Sequence, residues 1–224
     1  MGALAFAGIS PEAQHVWDAA RDELTGLPAG AGLNIAFEAV DRHAAGPESE
    51  VVAIRWLPKR GTPMDLTYAD LARRTSRFAN VLEGLGVATG DRVFVLAGRI
   101  PELYVSVLGT VKRGAVACTL FSAFGPEPIK QRLQRGDAKV LVTTRALYEK
   151  RVASIRAEVP TLDHVLIVGD GVMPEGTTSL EALLAEVSDE YTIAPTDPEQ
   201  PALLHFTSGT TGTPKGAVHV HEAV

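Results

Sequence analysis

The hydrophobic positions of this chain change their period along its length, and that change is the first clue to its architecture. Between Thr67 and Gly86 they fall at helical spacing, with Leu71, Phe78, Val81, Leu82 and Leu85 on one stripe. Thr67, followed three residues later by Asp70, supplies capping-box chemistry, and Gly86 supplies a stop, so a helix is predicted over 68–85. Beyond it, short apolar runs alternate with amphipathic stretches. Strands are predicted near 92–97, 115–120, 139–143 and 163–168, with helices near 101–113, 127–135 and 146–158 between them. Val93-Phe94-Val95-Leu96 and Val140-Leu141-Val142 are apolar at consecutive positions, as strands covered by helices on both faces should be. This rhythm predicts an α/β fold, a parallel-rich sheet flanked by helices.

The flanks follow the same logic. Residues 11–25 have helical spacing that Pro28-Ala29-Gly30-Ala31-Gly32 breaks, so about 1–33 reads as a peripheral leader. Val51 to Trp56 alternates like a strand, and Leu180 to Val187 adds a helix. The polar, proline-bearing stretch from Ser188 to Pro201 is a connector into an apolar run, Ala202-Leu203-Leu204-His205-Phe206. On this basis residues 1–200 form an α/β subdomain and 201–224 begin the next one.

Composition narrows the function classes. The chain has 224 residues, 46% hydrophobic and 21% charged, which is ordinary for a folded globular protein. A net charge of −6 and the lack of a basic run with interleaved aromatics argue against nucleic acid as a partner. Cys118 is the single cysteine, which excludes an intrachain disulfide and a cysteine-based metal site. The apolar start, Met1 to Gly8, is short and lacks a basic leader, and no apolar run approaches the roughly twenty residues that span a bilayer. A cytoplasmic location without membrane attachment is the expectation, and the oligomeric state stays open.

The candidate chemistry lies in Thr207-Ser208-Gly209-Thr210-Thr211-Gly212-Thr213-Pro214-Lys215-Gly216. Glycines at 209, 212 and 216 let backbone N–H groups converge on a phosphate. The hydroxyls of Thr207, Ser208, Thr210 and Thr211 add donors or magnesium-facing oxygens, and Lys215 adds a mobile positive charge. The Walker pattern G-x-x-x-x-G-K-(S/T) fails here, because Pro214 precedes Lys215 and Gly216 follows it. A Walker loop also feeds a helix. Here Ala217-Val218-His219-Val220 alternates like a strand, so the loop is read as a hairpin-type connection.

The loop resembles the signature of the adenylate-forming superfamily, an aromatic residue followed by T-S-G-(S/T)-T-G-x-P-K-G, with Phe206 where tyrosine is more usual. The blocks Asn34 to His43, Gly90-Asp91-Arg92-Val93, Pro101-Glu102-Leu103-Tyr104 and His205 through His221-Glu222-Ala223-Val224 are similar to the short bacterial type of acetate–CoA ligase. The resemblance implies ATP with Mg2+ and CoA as reactants, and acetate or another short carboxylate as the acid. It implies an acyl-adenylate, formed with release of pyrophosphate, which the CoA thiol then converts to a thioester. By position, Thr207 to Gly216 would hold the ATP phosphates, with Lys215 stabilising charge during catalysis.

Phe121-Ser122-Ala123-Phe124-Gly125-Pro126-Glu127 resembles the F-G-G-F-S-P-E segment that contacts CoA in that family. Ser122 and Ala123 replace two glycines, so CoA contact through Phe121, Ser122 and Ala123 and a plain strand-to-helix turn are both open. Lys150 and Arg151 read as a solvated helix face, and Arg99 as a surface charge. His219 and His221, two apart on a strand, would share one face in a structural or substrate-lining role rather than as metal ligands. The resemblance also implies adenine-binding, acyl-binding and lysine-bearing segments outside these residues. The expectation is therefore an inactive portion of a ligase, with a stand-alone nucleotide- or CoA-binding fragment as the alternative.

Overall fold

The computed structural model describes residues 11–207 and 214–224. In chain order the elements are α1 (Pro11–Asp22), a π-helical turn over Phe37–Asp41 that runs into α2 (Arg42–Ala44), β1 (Val52–Trp56), β2 (Met64–Thr67), α3 (Tyr68–Gly84), β3 (Arg92–Leu96), α4 (Pro101–Lys112), β4 (Val116–Thr119), α5 (Pro126–Arg135), β5 (Ala138–Thr144), α6 (Arg145–Leu147), β6 (His164–Val168), β7 (Thr178–Ser179), α7 (Leu180–Ala185), β8 (Pro201–Thr207) and β9 (Lys215–Val220).

Seven strands form one sheet in the order β7-β6-β5-β3-β4-β8-β9, parallel at every pairing except the last, and β1 and β2 form a separate antiparallel pair. This is the α/β, parallel-rich architecture that the pattern predicts. The central strand β3 explains why its run is apolar at every position: Val93 to Leu96 are fully buried, and successive side chains enter opposite layers. Phe94 and Leu96 join Leu141, Ile129 and Leu133 in the layer covered by α5. Val93 and Val95 join Val140, Val142, Phe78 and Leu82 in the layer covered by α3 and α4.

Helix α3 begins as its sequence dictates. The Thr67 hydroxyl accepts from the Asp70 N–H, and the Asp70 carboxylate accepts from the Thr67 N–H. Two short strands escape prediction: in β2 only Leu66 is buried, and β7 has two residues. The helix expected over 146–158 is instead α6, a π-turn over Tyr148–Val152 and a 3-10 helix over Ala153–Glu158. Tyr148, Val152, Ile155 and Val159 all bury in one layer, so the apolar spacing identified the inward face correctly. It carried no information on the hydrogen-bond register, which widens and then tightens along that face.

The leader is stitched to the connector. Gly32 forms an isolated parallel bridge with Thr196, and the Leu33 N–H donates to the Thr196 carbonyl at 3.0 Å. Asn34, fully buried, donates to the Val111 carbonyl at 3.1 Å and accepts from the Ala36 N–H at 2.9 Å.

Candidate functional site

The site is built on the hairpin of β8 and β9. Register places Leu204 opposite Val218, Phe206 opposite Gly216 and Thr207 opposite Lys215. The hairpin-type connection expected from the sequence is therefore present, with Thr207 and Lys215 closing its stem. Ser208, Gly209, Thr210, Thr211, Gly212 and Thr213 lie outside the described residues. At the stem, the Thr207 hydroxyl donates to the Lys215 carbonyl at 3.5 Å, and both side chains face solvent. Lys215 makes no ion pair with a described residue, so its ammonium is free for an anion.

Gly216 lies close against apolar side chains of the stem. A Cβ there would meet Leu204 Cδ1 at 3.0 Å and Phe206 Cε1 at 3.5 Å. Phe206 in turn stacks on core Phe94 with ring centroids 6.4 Å apart, which fixes the hairpin stem to the sheet. Pro214, just before Lys215, is buried.

Strand β8 runs parallel to β4, with Ala117 opposite Leu203, so both strands end at the same edge of the sheet. The loop stem and the turn at Phe121–Phe124 are thus neighbours at the carboxyl edge, where open α/β sheets bind ligands. In that turn the Phe124 N–H donates to the Phe121 carbonyl at 3.0 Å. Phe121 is 65% exposed and meets Phe124 edge-on at 5.6 Å. Ala123 is exposed and Ser122 half-buried.

Beneath Phe124 lies the guanidinium of Arg132, 4.2 Å from the ring centroid, donating to the Pro128 carbonyl at 2.8 Å. Arg132 is not among the candidates named from the sequence. The available signal was its spacing, since it lies between Ile129 and Leu133 on the inward face of α5.

The remaining candidates separate. His219 packs edge-on against His205 with centroids 5.4 Å apart. His221 lies beyond the end of β9 in a 3-10 turn, 2% exposed, its Nδ1 accepting from the Ile35 N–H at 3.1 Å. The two histidines therefore do not share a face, because the strand stops at Val220 and the chain turns. Lys150 is exposed as expected, but Arg151 is half-buried, with its Nε lacking a partner among the described residues. Arg99 is exposed, and its carbonyl accepts from the Trp56 indole at 2.8 Å. Burial pushes the Cys118 thiol up to about 12, against the opposing charge of Arg132, so it is no nucleophile at neutral pH. Among the described residues no group of three or more His, Cys, Asp or Glu could hold a metal ion, and no helix is long and apolar enough to cross a membrane.

A family described as AMP-binding enzyme matches residues 40–224. Acetyl-coenzyme A synthetase of Bacillus subtilis is 40% identical over 195 residues, 86% of this chain and 33% of that protein. 3-Hydroxypropionyl-coenzyme A synthetase of Metallosphaera sedula is 32% identical over 216 residues, 88% of this chain and 32% of that protein. The structure of the anthranilate CoA ligase AuaEII in complex with anthranoyl-AMP superposes with a TM-score of 0.78 at 28% identity, covering 88% of this chain and 36% of that one. The chain spans about a third of the length of the curated relatives it matches.

Proposed function

Because this chain belongs to the AMP-binding enzyme family, we propose that it supplies the phosphate-holding part of an AMP-forming acid–CoA ligase acting on acetate or another short carboxylate. The observation that carries this reading is the stem of the β8–β9 hairpin. Thr207 and Lys215 stand side by side and solvent-facing at the carboxyl edge of the sheet, next to the aromatic turn at Phe121.

In the first step a carboxylate oxygen bonds to the α-phosphorus of ATP, and the bond from that phosphorus to the oxygen bridging it to the β-phosphorus breaks, so the bridging oxygen leaves with pyrophosphate. In the second, the CoA sulfur bonds to the acyl carbon, and the C–O bond to AMP breaks. Negative groups converge in the first step, so the protein's task is to offset charge on the β and γ oxygens. Lys215 supplies a point charge and the Thr207 hydroxyl a donor at the stem. Ser208, Thr210 and Thr211 bring further hydroxyls, and backbone N–H groups of the glycines complete the cradle. The hydroxyl oxygens are hard donors suited to Mg2+, which when bound would neutralise phosphate charge. Phe121, with Ser122 and Ala123, offers an exposed aromatic face at the same edge for the CoA nucleotide. Small-molecule partners and a cytoplasmic setting, without nucleic acid, complete the reading.

The test is a phosphorus NMR titration of the 224-residue chain with MgATP at low salt. Lys215→Met is expected to weaken binding about tenfold, the equivalent of one charge-assisted hydrogen bond of about 1.5 kcal/mol. Lys150→Met, at an exposed lysine of the π-turn over Tyr148–Val152, should leave binding unchanged. Equal affinity in the wild type and Lys215→Met would refute the assignment.

A further inference from the structure

His221 is the one imidazole of the β8–β9 region that is enclosed, 2% exposed, and it joins two segments far apart in sequence. Its Nδ1 accepts from the Ile35 N–H at 3.1 Å, so in this state the ring carries its proton on Nε2. Nε2 is buried and has no hydrogen-bond partner among the described residues. The chain around it is pinned at three further points. The His221 N–H donates to the Gln200 carbonyl at 3.2 Å, the Glu222 N–H donates to the Pro198 carbonyl at 3.0 Å, and Arg21 of α1 pairs with Glu222.

We propose that His221 is an acid-sensitive latch between the leader at Ile35 and the far end of β9, closed while the imidazole is neutral and released when it takes up a proton. Protonation turns Nδ1 into a donor facing another donor, and it places a cation where neither ring nitrogen has an acceptor. Among the described residues no neighbouring charge offsets this. On α1, Asp18 and Arg21 pair with each other and Arg21 with Glu222. On the leader, Glu38 accepts from the Thr25 and Gly26 N–H groups and pairs with Arg42. In the connector, Asp197 accepts from the Glu199 N–H, and Glu199 is exposed. On α4, Lys112 pairs with Asp41 and Arg113 with Glu83, while His205 and His219 pack on each other.

Burial lowers the His221 pKa from 6.5 to about 4, which sets the window. Above about 6.5 the closed and open forms bind the same number of protons, and the latch keeps its full strength. Below that the open form takes up a proton that the closed form refuses, and the closed-to-open ratio falls about tenfold per pH unit until about pH 4. Opening frees β9, the strand whose other end carries Lys215.

The experiment is hydrogen exchange of the 224-residue chain, with protection factors referenced to the intrinsic rate at each pH. Between pH 7.5 and 5.0 the protection of the Ile35 amide is expected to fall roughly 30-fold, while that of β5 at Val140–Val142 holds. His221→Asn keeps an acceptor near the Nδ1 position but does not titrate, so protection at Ile35 should change less than about threefold over the same range. Loss at Ile35 and β5 together, loss of equal size in His221→Asn, or no loss in the wild type would each overturn the latch.

Discussion

At the scale of single residues, the most exacting arrangement outside the loop is the ion pair of Lys112 and Asp41. Lys112 is 1% exposed, and its ammonium donates to Asp41 at 2.7 Å, Ser76 at 3.2 Å and the Ala72 carbonyl at 3.4 Å. Burial holds the Asp41 carboxyl above its ordinary range and the Lys112 ammonium below its own, each against the pull of the partner. Removing one member leaves the other charged and enclosed. Asp41→Ala is expected to destabilise the fold by about 3 kcal/mol, whereas Asp41→Ala with Lys112→Met should recover most of that loss. Urea unfolding at pH 7 checks it, and a double variant as unstable as the single one would contradict it. No local pattern marks this pair, because its members are 71 positions apart on separate elements.

Among the elements, the packing of α4 on α3 depends on Gly109. A Cβ there would lie 2.8 Å from the Thr75 carbonyl oxygen and 2.8 Å from Phe78 Cδ1, and the first of these is backbone. Alanine raises helix propensity by about 1 kcal/mol. Overpacking costs about 1–3 kcal/mol, so Gly109→Ala is expected to lower the melting temperature, as calorimetry would show. The elements themselves were legible wherever one local signal sufficed. The capping pair Thr67 and Asp70 opened α3, and the doubly apolar runs marked β3 and β5. The signals failed where partners decide the conformation. Strand β2 exists because β1 pairs with it, and β7 because β6 does. His219 and His221 were read as one face because nothing local showed that the strand ends at Val220.

For the whole molecule, the prediction concerns catalysis. These 224 residues span about a third of the length of their acetyl-coenzyme A synthetase relatives. The purified 224-residue polypeptide is therefore expected to release no pyrophosphate from ATP when given acetate and CoA, in a coupled phosphate assay. Acetate-dependent release would show that the phosphate loop and its neighbours suffice. By itself the sequence determined the layered α/β fold, the family and the chemical character of the loop, because periodicity, capping and a run of glycines, hydroxyls and one lysine act over a few residues. Only the tertiary structure decided that β8 lies beside β4, which brings Thr207 and Lys215 to the same sheet edge as Phe121. It also decided that His221 faces Ile35. Parallel strands pair across crossovers of many residues, and which strands become neighbours is settled by the burial of two shared layers rather than by any local pattern.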